Sequence, residues 1–163
     1  MVLTTLNRSK SLIFIDTGDS TSSYQWTRID KSTVFDLTVN AVENDYDFID
    51  DDNTVKELDK YQPTMEQEIM TVEGNPMYEY MEQLFYDLPT GEDAKKPTLI
   101  VFPRNIGTGS TASYHAWLCP ASTLTVKNFN SQDKKIYWTI AFNNIDKGTA
   151  TVEDGVPVFT STT

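Results

Sequence analysis

Cysteine and histidine are all but missing from this chain of 163 residues: Cys119 and His115 each stand alone. A single cysteine permits no intrachain disulfide, so a fold held together by crosslinks in an oxidising compartment is excluded and synthesis in the cytoplasm is expected. A single histidine leaves acid–base catalysis near neutral pH without its usual group. Cys119 and His115 make no nucleophile–base pair either. Four residues apart on a strand, they share a face but stand about 13 Å from each other, beyond hydrogen-bond reach. Long apolar runs are lacking too. The first eleven residues are polar and include Arg8 and Lys10. The apolar stretch that follows, residues 12–15, is too short for a signal-peptide core or a membrane span, so a soluble protein with no membrane partner is expected.

Positive charge is also scarce. Thirteen Lys and Arg face 24 Asp and Glu, a net charge of −11, whereas a surface that grips nucleic acid by its phosphates needs a basic face. The shortage is uneven. Residues 36–93 hold 17 acidic residues against Lys56 and Lys60, a net of −15, and the other 7 acidic and 11 basic residues carry +4. A solvated acidic face is the plainest account of this polarity. A surface that repels a polyanion, or that meets the basic parts of a neighbouring copy, accounts for it equally.

What the chain does contain is enough for one folded domain: 39% hydrophobic and 12% aromatic residues, in a length that buries roughly 70% of the surface its unfolded form exposes. Residues 24–29 and 33–41 alternate bulky and polar side chains, with Phe35, Leu37, Val39 and Ala41 on one face. With the turn-like Asp30-Lys31-Ser32 between them, they predict a hairpin. Residues 42–53 are dominated by carboxylates and cannot be core, so they read as a long projecting acidic loop. Residues 61–72 predict a strand that exposes Glu66, Glu68 and Met70. Asn75 as N-cap, Pro76 at the first helical position and apolar residues at 77, 80, 81, 84, 85 and 88 predict a helix over residues 76–88, ended by Pro89 and Gly91. Thereafter residues 98–102, 113–119, 124–129, 135–142 and 149–153 read as short strands, the second and third divided by Pro120. The fold class expected is mainly β, an antiparallel β-sandwich with one flanking α-helix. Residues 1–23 are read as an N-terminal arm with a first strand, and 24–163 as the sandwich domain.

No reaction and no cofactor are expected from these residues. A calcium site at Asp45, Asp47 and Asp50 to Asp52 lacks the glycine its loop needs, and Phe48-Ile49 interrupts the ligands. Carboxylate pairs sufficient for a glycosidase arise by chance among 24 acids, and nothing places two of them in an apolar cleft. Gly107-Thr108-Gly109 lacks the Gly-Lys-Ser/Thr ending and the helix that cradle phosphate. The Cys and His residues give no metal-ligand spacing.

The order of several short strings is more specific. Trp26-Thr27-Arg28-Ile29 with Lys31-Ser32-Thr33, then Asp45-Tyr46-Asp47-Phe48-Ile49, Glu57-Leu58 with Tyr61-Gln62-Pro63, Glu73-Gly74-Asn75-Pro76 with Tyr78-Glu79-Tyr80, and Leu88-Pro89-Thr90-Gly91 together resemble the major tail proteins of siphophages. The resemblance covers about four fifths of the chain. It implies a non-enzymatic virion subunit assembled in the host cytoplasm into rings, commonly hexameric, that stack as the tail tube. Strands of each subunit would join a barrel around an acidic lumen through which DNA passes without specific binding. The implied partners are other copies of the chain, a tape measure protein, and tail terminator or distal tail proteins.

On that expectation Glu66, Glu68 and Asp36 are candidates for the lumen, and Asp45, Asp47, Asp50, Asp51 and Asp52 for contact with the next ring. Lys95, Lys96, Arg104, Lys127, Lys134 and Lys135, together with Lys147, would form a complementary basic interface. The inner tube of a contractile tail or secretion system is the alternative of the same class. A carbohydrate-binding sandwich stacking sugars on Trp26, Trp117 and Trp138 is the alternative of another class, although Trp138 shares an alternating face with Ile136, Ile140 and Phe142 and so reads as core.

Overall fold

The computed structural model describes residues 2–20 and 22–162. Eleven strands and one α-helix run through them: β1 Leu12–Asp16, β2 Trp26–Arg28, β3 Leu37–Thr38, β4 Ala41–Tyr46, β5 Val55–Tyr61, β6 Thr64–Met70, α1 Pro76–Asp87, β7 Lys95–Asn105, β8 Tyr114–Asn130, β9 Lys135–Ala141, β10 Asp146–Glu153 and β11 Val156–Ser161. The fold is mostly β and antiparallel with one helix. Nine strands share one sheet in the order β2-β1-β7-β8-β9-β6-β3, with the β10–β11 hairpin attached to β8, while β4 and β5 form a separate two-stranded ribbon.

Strand β8 joins the two halves. Residues 114–118 bond to β10, and residues 123–130 bond to β9. Between them the register against β7 slips, with Thr98 opposite Cys119 but Lys96 opposite Ser122, so β8 carries one extra residue around Pro120. Pro120 therefore does not divide two strands, as its position in the sequence suggests. A proline lacks the N–H that a ladder needs, and a bulge is where a sheet tolerates it.

The half containing β1 and β7 is buried on both faces, which is why residues 98–102 read as a continuous apolar run. Ile13, Ile15 and Ile100 enter the main core with Met65, Ile69, Leu124, Ile136, Trp138 and Ile140. Phe14, Leu99 and Val101 face a second cluster with Ala116 and Ala150. Helix α1 covers the main core with Met77, Met81 and Leu84, and it lies against β2, β6, β8 and β9. The Asn75 side chain accepts from the Tyr78 N–H at 3.0 Å, and the helix closes on Leu88 in the left-handed region, φ 48°.

The hairpin expected from residues 24–29 and 33–41 does not form. Strand β2 pairs with β1 instead, and within 33–41 Leu37 and Thr38 form β3, opposite Met65 and Thr64 of β6, while Ala41 already opens β4. Asn40 at φ 48° ends the extended run, and Phe35, Val39 and Ala41 are exposed. Residues 29–34 serve as a strap between the two edges of the sheet. The Ile29 N–H donates to Ile13 O at 2.9 Å, and the Met70 N–H donates to Lys31 O at 3.3 Å. Ser32 Oγ donates to Gln67 Oε1 and Gln67 Nε2 donates to Val34 O, both at 3.0 Å.

The acidic stretch projects, as a loop would, but its flanks are strands. β4 and β5 pair from Ala41 opposite Tyr61 to Tyr46 opposite Val55, leaving residues 47–54 as the tip.

Candidate functional site

No compact catalytic site is built from the candidate residues. Cys119 is buried beside Thr98 and Ser122, and burial pushes its thiol up to about 11 despite hydrogen bonds from both hydroxyls. His115, on the same strand, is exposed. Among the described residues no group of three or more His, Cys, Asp or Glu is arranged to hold a metal ion, and no helix is long and apolar enough to cross a membrane.

The three tryptophans do not make a common platform. Trp138 is fully buried in the main core, Trp117 packs edge-on to Phe102 at 5.2 Å, and Trp26 belongs with the second cluster beside Tyr24.

The candidate acids fall into two places. On β6, alternation turns Met65, Gln67 and Ile69 inward and Glu66 and Glu68 outward. Leu37 lies opposite Met65, so the same alternation puts exposed Asp36 on the side of Glu66. Glu66 is exposed and pairs with Lys127 at 2.6 Å. Glu68 is enclosed: Lys135 Nζ lies 2.9 Å from it and Thr33 donates a short hydrogen bond to it. Burial works to raise the Glu68 carboxyl, but the bonds from Thr33 and Lys135 outweigh it and hold the group below the ordinary glutamate value.

The second group stands on the ribbon. Asp45 pairs with Lys56 at 3.2 Å, Asp47 accepts from Thr54 Oγ1 at 2.7 Å, and Asp51 accepts from the Asn53 N–H at 3.0 Å. Asp50 and Asp52 are exposed, as are Phe48 and Ile49 between them and Asp47, with Ile49 entirely in solvent.

The expected basic interface is partly spent within the chain. Lys127 and Lys135 hold Glu66 and Glu68, and Lys95 holds Glu92 at 2.6 Å. Among the described residues Lys96, Arg104, Lys134 and Lys147 form no ion pair.

A different cationic surface lies elsewhere. Residues 8–11 and 28–35 enclose a groove of about 900 Å³ with Ile13 and Gln67 at its base, and Arg8, Arg28 and Lys31 line it. Sequence reasoning missed this groove, because its walls meet only through the strap between β1 and β6. Its one legible signal was the run of cations at 28 and 31 outside the acidic block.

No protein-family model matches the sequence, and no curated protein matches it. Solved structures do. The chain is similar to one from the tail of an empty GTA particle, refined with C6 symmetry, with a TM-score of 0.56 and 14% identity over 96% of this chain and 100% of that one. It is also similar to the sheath/tube terminator of PVC, an extracellular contractile injection system, in its extended state, with a TM-score of 0.51 and 11% identity over 90% and 99% of the two chains. The fold is phage tail-tube-like. At such identities the likeness describes architecture, and it takes in nine tenths or more of the chain.

Proposed function

We propose that this chain is a structural subunit of a tail tube, which closes into rings of about six copies that stack around a conduit for the genome and runs no reaction. The fold likeness to a chain of a C6-symmetric tail, over 96% of this chain and 100% of that one, carries this reading. The polarised charge supports it. A conduit for DNA functions with a negative wall, since each lysine contact to phosphate adds a binding term that slows transit. Exposed Asp36, which pairs with no cation among the described residues, is the acid best disposed for such a wall, with Glu66 and its partner Lys127 on the same side of the sheet.

The reading extends to the sheathless tail of a siphophage on the sequence strings above, with a tape measure protein and terminator or distal tail proteins as partners and the virion tail as its place. The inner tube of a contractile tail is the second reading, favoured by the likeness to the PVC sheath/tube terminator. Electron microscopy of the purified chain tests the common claim, and rings or tubes are expected. Copurification of a sheath protein with native tails would favour the second reading. Glu66→Lys should leave tubes assembling while reducing DNA delivery, and failure of assembly itself would put Glu66 at an interface between copies.

A further inference from the structure

We propose that the tip of the β4–β5 ribbon of one copy seats in the groove between residues 8–11 and 28–35 of a second copy. This rests on the tube reading and names the contact by which one copy stacks on the next.

The tip is an apolar knob with an acidic collar. Phe48 and Ile49 project at the end of a ribbon whose strands pair only with each other, and Asp47, Asp50, Asp51 and Asp52 flank them with no cation in residues 47–54. The groove has the opposite character. Ile29, Val34 and Phe35 supply apolar lining, and Arg8, Arg28 and Lys31 supply positive charge.

The cations are held ready rather than used up. Arg8 Nη2 donates to Thr33 O at 2.6 Å and Arg28 Nη2 donates to Ser9 O at 3.2 Å, bonds that fix both guanidinium groups to the groove wall and leave further N–H donors free. Among the described residues no carboxylate pairs with any of the three. Asp30, the acid in the lining, accepts from Asn75 Nδ2 at 2.8 Å. Charge thus matches charge, and apolar surface matches apolar surface.

Their placement fits a repeating contact. The ribbon leaves the body through Gln62 and Pro63 at the Thr64 end of β6, while the groove borders the other end, where Lys31 O meets the Met70 N–H. Six residues of strand separate those ends by about 20 Å. Knob and groove are therefore different patches on opposite ends of one strand, and a contact between them propagates from copy to copy instead of closing a pair.

Cysteine crosslinking of the full-length chain tests this. Ile49→Cys combined with Phe35→Cys, and separately with Lys31→Cys in case the first pair disturbs the groove, should give a ladder of disulfide-linked multimers under mild oxidation. Each single variant should stop at dimers, and buried Cys119 should not compete. Asp50→Lys with Asp52→Lys should cut the assembled fraction at least tenfold, and adding Arg28→Glu with Lys31→Glu should restore it. Tubes that form from the wild-type chain while neither cysteine pair gives a ladder would overturn this contact and leave the tube reading standing. A wild-type chain that never assembles would overturn the tube reading, and this contact with it.

Discussion

Glu68 sits where the outward side of β6 is closed over by the strap from residues 29–34, and its carboxylate is satisfied by Thr33 and Lys135 instead of by water. Hydrogen bonds to a charged group of this kind contribute about 1.5–3 kcal/mol. Because the folded-state carboxyl titrates below its unfolded value of about 4.3, that stabilisation is present above the unfolded value and is lost as pH falls through the folded one. Glu68→Gln should therefore lower stability at pH 7, and the gap to the wild-type chain should close as pH falls below the ordinary glutamate value; denaturant midpoints at several pH values check it. Cys119 makes a second residue-scale prediction. With its thiol pushed up to about 11 and no solvent access, it should resist a thiol reagent at pH 8 in the native chain and react fully once unfolded. The outward orientation of Glu68 was legible in the alternation of β6. Its enclosure was not, because Thr33 lies 35 residues away and reaches it only through the strap.

Helix α1 was legible almost to the residue, since cap, first-turn proline, 3.6-residue period and terminating Pro89 are all local signals. Asn75→Ala removes the cap and frees Asp30 from its bond, and a loss of about 1–2 kcal/mol in unfolding free energy is expected. The hairpin that failed to form shows the converse. Residues 33–41 alternate well, but pairing is decided by what lies opposite, and the apolar β1 takes β2 as its partner. The ribbon strands escaped recognition for another reason: both faces of β4 and β5 are in solvent, so no alternation marks them. Strand β11 depends on β10, and their fit is tight at Gly148, where an added Cβ would stand 2.2 Å from Thr160 O and 2.7 Å from Phe159 Cζ. Gly148→Ala should cost about 1–3 kcal/mol in overpacking, read from thermal or chemical denaturation.

At the scale of the molecule, fold and assembly separate. No residue of the β4–β5 ribbon belongs to either core cluster, so the body does not need the ribbon to fold. Replacing residues 43–58 by a short turn should change unfolding free energy by no more than about 1 kcal/mol while abolishing higher-order assembly, measured by denaturation and by sedimentation. The polarised charge supports the same division. Lys127 and Lys135 pair with Glu66 and Glu68 within the chain, while the four aspartates at 47 and 50–52, which pair with no cation among the described residues, and the groove cations are left at separate surfaces. Exposed ion pairs select and orient partners more than they stabilise them, so assembly should rely on apolar burial at Phe48 and Ile49, and added salt should slow it more than reverse it. The central claim is that this chain builds a tube, and electron microscopy of the purified chain over rising concentration tests it most directly. The account predicts rings or stacked tubes with about sixfold symmetry, as in the C6 tail whose chain it resembles; a monodisperse monomer at every concentration would contradict it.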